Sequence, residues 1–168
     1  SAIADALHTA LRKHEFEAYA TEIGFVLVDL KKAINNIEKW AKPRTVPTPL
    51  FHFNGRSYVQ PEPRGITLIV SPWNYPFQLA IAPVVAAIAA GNTVVLKPSE
   101  LTPNTSQLVE NIITRVFKKE HVSVIQGDAK VATELLAQKW DYIFFTGSVL
   151  VGKIVAKAAA EHLTPVTL

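Results

Sequence analysis

The sequence predicts an α/β protein built on a parallel sheet flanked by helices. Three observations carry that expectation. Beyond Arg64 short β-branched runs alternate with helix-period stretches. The strand runs are apolar at successive positions, which suits strands covered on both faces. Hydrophobic residues make up 49% of the chain and charged residues 18%, enough apolar material for a core, which excludes a disordered chain.

The elements follow in order. From Ser1 to Lys42, Phe16, Tyr19, Ile23, Val26, Leu27, Leu30, Ile34 and Ile37 recur at three- and four-residue intervals, which predicts one amphipathic helix. Between Pro43 and Pro63 five prolines bracket Phe51 to Tyr58, and Asn54-Gly55 suits a type I′ turn, so this stretch reads as a hairpin on a proline-rich arm. Such an arm buries little of its own surface and either packs on the domain or reaches a neighbouring subunit. Strands are expected at Gly65 to Ser71, Thr93 to Lys97, Val122 to Gln126 and Tyr142 to Thr146, with a fifth beginning at Val166. Helices fill the gaps at Phe77 to Ala90, Thr105 to Lys119, Lys130 to Gln138 and Val149 to His162. This alternation predicts a Rossmann-like domain over residues 65–168, after a helical segment, 1–42, and an arm, 43–64.

Composition narrows the function classes. Seventeen Lys and Arg against fourteen Asp and Glu give a net charge of +3, with the basic residues scattered, so nucleic acid is not an expected partner. Cysteine is absent, which removes disulfides, thiolate metal sites and a cysteine nucleophile from these residues. The longest apolar stretch, Leu79 to Ala90, contains Pro83 and falls short of the roughly 20 residues a membrane span needs. Neither a membrane segment nor a signal peptide is expected, and the expected location is cytoplasmic. His8, His14, His52, His121 and His162 lie in different elements, so no metal site is expected.

In open parallel sheets ligands bind beyond the carboxyl ends of the strands. The first such end reads Ser71-Pro72-Trp73-Asn74-Tyr75-Pro76, where the Asn74 amide either donates to a developing oxyanion or serves a turn or cap. The second reads Lys97-Pro98-Ser99-Glu100, either a ribose clamp or a local ion pair of small worth. Gly127-Asp128 after the third strand is a turn. The fourth reads Thr146-Gly147-Ser148, leading into a helix whose N-terminus faces an anion, although helix capping alone also accounts for Ser148. No Gly-x-Gly-x-x-Gly or Walker pattern occurs.

Taken together and in this order, Ser71-Pro72-Trp73-Asn74, Gly91-Asn92-Thr93-Val94-Val95-Leu96-Lys97-Pro98-Ser99-Glu100 and Phe144-Phe145-Thr146-Gly147-Ser148 closely resemble the aldehyde dehydrogenase superfamily. Glu15-Phe16-Glu17-Ala18-Tyr19 and the arm resemble its class 3, fatty-aldehyde branch. The resemblance implies an NAD or NADP cofactor, an aldehyde substrate and a homodimer. It implies that Asn74 supports the oxyanion, Lys97 and Glu100 grip the adenosine ribose, and Ser148 meets the pyrophosphate. Thr146 and Gly147 would approach the cofactor, Trp73 would wall its channel, Gly127 and Val151 would flank the adenine, and Tyr75 would line the substrate tunnel.

Members of that family attack the aldehyde with a cysteine thiolate, transfer hydride to the nicotinamide and hydrolyse the thioester through a glutamate-activated water. The glutamate normally sits in a Glu-Leu-Gly-Gly segment beyond the position of Leu168, and the cysteine lies further on. The expectation is therefore an incomplete aldehyde dehydrogenase fold that is inactive by itself, with apolar surface left bare. The alternative is a non-catalytic nucleotide-binding or oligomerisation module.

Overall fold

The computed structural model describes residues 1–168. Five strands form one parallel sheet: β3 (Ile66–Val70), β4 (Thr93–Lys97), β5 (Val122–Val124), β6 (Tyr142–Phe145) and β7 (Val166–Thr167), in the spatial order β5-β4-β3-β6-β7. The chain lays down β3, moves outward through β4 to β5, then returns to place β6 on the other side of β3. That reversal is the switch point of a doubly wound sheet, and it leaves a crevice between the β3 and β6 ends.

The strand side chains alternate between two cores. Ile69, Val94, Leu96 and Val122 face the first, with Leu7 of α1 (Ala2–Leu11), Val84 of α4 (Gln78–Ala89) and Val109 of α5 (Pro103–Val116). Leu68, Ile143 and Phe145 face the second, with Leu135 of α6 (Ala129–Leu136) and Val155 of α7 (Val149–Ala160). Each fully buried aliphatic side chain contributes about 1.5–3 kcal/mol of transfer free energy, offset by chain entropy. Asn92 fixes where β3 begins: its Oδ1 accepts from the N–H groups of Arg64 at 2.8 Å and Gly65 at 2.9 Å.

Two expectations for the first 64 residues are corrected. Residues 1–42 form no single helix. The chain breaks after α1 at Arg12, which takes a left-handed conformation at φ 56. It resumes as α2 (Glu15–Ala18), widens into a π-turn at Tyr19–Ile23 and continues as α3 (Gly24–Ala41). The buried face carries Ala18, Glu22, Val26 and Ala33, of which Val26 and Ala33 lie on α3 and are small enough for its close packing on α4, while Phe16, Tyr19, Leu27 and Ile34 remain exposed. The hairpin forms with β1 (Arg44–Val46) antiparallel to β2 (Ser57–Val59), but Asn54-Gly55 is not its type I′ turn, since neither residue has positive φ. Pro47 and Pro49 offer no N–H to extend the ladder, so a longer loop containing a 3₁₀ turn at Leu50–His52 closes it. Leu50, Phe51 and Phe53 at its tip are exposed.

Candidate functional site

Four loops leave the same edge of the sheet side by side. Val70 pairs in register with Lys97 on one side and Phe145 on the other. The ladder runs one residue further on each strand: Ser71 N–H donates to the Lys97 carbonyl at 3.1 Å, Thr146 N–H to the Val70 carbonyl at 3.2 Å, and Ile125 N–H to the Leu96 carbonyl at 2.9 Å. The residues singled out in the sequence therefore stand in the spatial order Gly127, Lys97, Asn74, Ser148 along one rim. No side-chain hydrogen bond or salt bridge joins these four loops to one another.

Asn74 is exposed and its side-chain amide makes no hydrogen bond within the chain, so both donors are free at the switch point. Trp73, 51% exposed, and Tyr75, 39% exposed, flank it. Behind the loop, Ser71 is buried with an unpartnered hydroxyl.

Lys97 departs from the surface-pair alternative, being 4% exposed. Its Nζ donates to Glu100 Oε2 at 2.6 Å, the only acceptor it has, which leaves two of its three donor positions unused. Glu100 stands at the rim. Burial by itself would raise its pKa, but the hydrogen bond from Lys97, its own backbone N–H and the coulombic pull of the ammonium outweigh that and Asp128's repulsion, so the net shift is downward from 4.5. Because the folded value is depressed, the pairing contributes fully above the unfolded value and is lost as pH falls through the lower folded value. An NMR titration of the Glu100 carboxyl is expected to give a midpoint below 4.5, and Lys97→Met is expected to move it upward.

Gly127 is required by its conformation. Its φ is +153, and a Cβ there would stand 2.4 Å from Val131 Cγ2 in α6. Asp128 then caps α6, its Oδ1 accepting from Lys130 N–H at 2.9 Å. At the fourth loop, a Cβ on Gly147 would lie 2.4 Å from Phe145 Cζ, so glycine is what lets the chain turn tightly into α7. Ser148 is the N-cap, its Oγ accepting from Val151 N–H at 3.3 Å. That bond uses a lone pair and leaves the hydroxyl hydrogen free to donate. Val149, Leu150 and Val151 are exposed, so the positive end of α7 opens onto the rim. Buried Lys97, the glycine-shaped turn at Gly127 and the open α7 terminus together fit an anionic dinucleotide.

A cleft of about 710 Å³ lies elsewhere, between α3, α4 and Pro61–Pro63. Its lining is mainly apolar, with Lys32, Asp29 and Glu62 at the margin, and nothing in it converges as the rim groups do. No helix is long and apolar enough to cross a membrane.

The sequence reading missed Lys13 and Glu22. Glu22 is fully buried and Lys13 is 8% exposed; Lys13 Nζ donates to Glu22 Oε1 at 2.5 Å and to the Asn74 carbonyl at 3.1 Å. The ammonium also lies 4.1 Å from the Tyr75 ring centroid. Glu22 Oε2 accepts from the Phe77 and Gln78 N–H groups at 2.8 and 3.2 Å, capping α4. The available signal was a carboxylate at four-residue spacing between Ala18 and Val26, on the small-residue face rather than the large apolar one.

The aldehyde dehydrogenase family model matches residues 1–168. The chain is 48% identical over 168 residues to 4,4'-diaponeurosporen-aldehyde dehydrogenase of Staphylococcus aureus, covering 100% of this chain and 37% of that protein. It is 46% identical over 166 residues to aldehyde dehydrogenase family 3 member F1 of Arabidopsis thaliana, covering 99% and 34%. Among solved structures, Staphylococcus aureus AldH in a substrate-bound state superposes with a TM-score of 0.97 at 48% identity, covering 99% of this chain and 36% of that one. The chain thus spans about a third of the length of these relatives. With a doubly wound sheet, a free asparagine amide at its switch point and a family match from first residue to last, the chain belongs to the aldehyde dehydrogenase family.

Proposed function

We propose that these residues are the NAD(P)-binding part of an enzyme that oxidises aldehydes to carboxylic acids, with the thiolate and general base contributed by sequence outside them. The observation that carries this reading is the set of four loops leaving one sheet edge, with free donors on Asn74, Lys97 and Ser148. When bound, the dinucleotide supplies a hydride acceptor. The chain's own residues bind it, orient it and meet the aldehyde oxygen.

Asn74 Nδ2 donates to the aldehyde oxygen as negative charge develops on it, an interaction stronger in the transition state than in the ground state. Lys97 directs its unused donors at the adenosine ribose hydroxyls, and Glu100 accepts from them while repelling a 2′-phosphate. Ser148 Oγ–H and the first turn of α7 face the pyrophosphate. Thr146 and Gly147 keep the backbone close to the cofactor, Gly127 and Val151 flank the adenine, and Trp73 walls the channel. Tyr75 lines the path of the aldehyde. In this reading residues 65–168 are the cofactor domain, with 1–42 bracing it. The arm, 43–64, carries exposed Leu50, Phe51 and Phe53 to a second subunit of a homodimer.

Titration calorimetry tests the reading. NAD is expected to bind with a Kd of roughly micromolar order, about −8 kcal/mol. Lys97→Ala and Ser148→Ala are each expected to weaken that binding by about tenfold or more, a loss of about 1.4 kcal/mol. With no cysteine in the chain, the purified 168-residue protein is expected to turn over no aldehyde. That same absence is what favours the second reading, a non-catalytic nucleotide-binding or oligomerisation module. Undetectable NAD binding would overturn the cofactor assignment.

A further inference from the structure

We propose that the buried Lys13–Glu22 pair positions Asn74 and Tyr75 for turnover, and so is part of the oxidation machinery without touching the aldehyde. The inference rests on the reading of Asn74 as the oxyanion donor.

Each group of the pair is fully committed. Lys13 has three ammonium hydrogens and three neighbours for them: Glu22 Oε1, the Asn74 carbonyl and the face of the Tyr75 ring. Glu22 has two oxygens; one meets the ammonium, and the other accepts from the Phe77 and Gln78 N–H groups. A single ion pair therefore holds both ends of the segment from Asn74 to Gln78. The Asn74 backbone is fixed relative to the α4 axis while its side chain stays free at the rim.

Two irregularities of the backbone deliver the pair. The left-handed Arg12 ends α1 and turns Lys13 inward, where its carbonyl lies 3.1 Å from His8 Nδ1. The π-turn at Tyr19–Ile23 holds Glu22 on the buried face; such turns are frequent at functional sites. Stability alone does not call for this arrangement. Replacing a buried ion pair with apolar groups of similar shape is commonly neutral or stabilising, so the charges need another reason to be there. Placement of the oxyanion donor is such a reason, because an error of about 1 Å in a reacting group costs as much as a hundredfold in rate.

The test uses the protein at full length, with an aldehyde and NAD or NADP. The double variant Lys13→Met/Glu22→Gln keeps the volume, and the amide oxygen that Glu22→Gln introduces can still accept from the first N–H groups of α4. It is expected to lower kcat roughly tenfold to a hundredfold with little change in the KM for cofactor, while its melting temperature stays near wild type. An equally active, folded double variant in an Asn74-dependent enzyme overturns this inference alone. A wild-type protein that oxidises no aldehyde, or one indifferent to Asn74→Ala, overturns the reading of the site and this inference with it. Nitrogen relaxation of the wild-type chain gives a readout that needs no variant. A rigid Asn74 backbone amide, with an order parameter of about 0.85, is expected, and a value below about 0.6 overturns the inference.

Discussion

In the full-length enzyme proposed above, Asn74→Ala is expected to lower kcat for aldehyde oxidation by about 100- to 1,000-fold, equivalent to about 2.7–4 kcal/mol of transition-state stabilisation. The size follows from when the amide acts. An aldehyde oxygen in the ground state is a weak acceptor, whereas the oxygen of the tetrahedral adduct carries a full charge. The donor's contribution therefore falls almost wholly on kcat, and KM moves little. The fold should not feel the change. The Asn74 side chain is exposed and bonds to nothing in the chain, and the contact with Lys13 uses its carbonyl, which alanine retains. Such substitutions ordinarily stay within about 0.5 kcal/mol. Steady-state kinetics with a parallel thermal melt separate the two effects, and a kcat within twofold of wild type would remove Asn74 from the mechanism.

Glu22→Ala is expected to show the opposite pattern, a loss of stability of about 3–5 kcal/mol. Without the carboxylate, Lys13 would keep its ammonium buried against one carbonyl and one ring. The Phe77 and Gln78 N–H groups would lose their acceptor at the start of α4. For a chain of this size each kcal/mol moves Tm by about 2–4 °C, so a drop of roughly 10 °C is the expected scale. Neutralising both partners together removes the uncompensated charge, so Lys13→Met/Glu22→Gln should be far milder than Glu22→Ala. Urea unfolding of the variants measures this directly; a Glu22→Ala protein as stable as wild type would mean the pair carries no structural weight.

The parallel sheet was legible because its signals are local and repeated. Stretches such as Leu68–Val70 and Val94–Leu96 are apolar at successive positions, on both faces, and Pro or Ser follows soon after. The helices between them carry clear periods: α4 and α7 lie within the expected ranges, while α5 and α6 begin two residues and one residue before theirs. The rim was legible because a parallel sheet sends all its strand ends to one side, so locating strands locates their loops. What escaped depends on tertiary contacts. Nothing around Arg12 marks a helix break, since arginine seldom takes positive φ and the stop is fixed by burial of Lys13. The wide apolar stripe of residues 16–37 masks the narrow face of Ala18, Glu22, Val26 and Ala33 that packs on α4. A charge on that face reads as solvated until its partner comes from the other side of a break. The Asn54-Gly55 signal was real as chemistry, but Pro47 and Pro49 prevent the ladder from reaching it.

If these strand-end loops form one dinucleotide site, amide chemical-shift mapping of the 168-residue chain during titration with NAD shows it most directly. Perturbations are expected to concentrate at Lys97 and Glu100, at Gly127, and from Thr146 through Val151, spreading along the rim to Trp73 and Asn74. Perturbations confined to the 710 Å³ cleft between α3 and α4 would contradict a rim site.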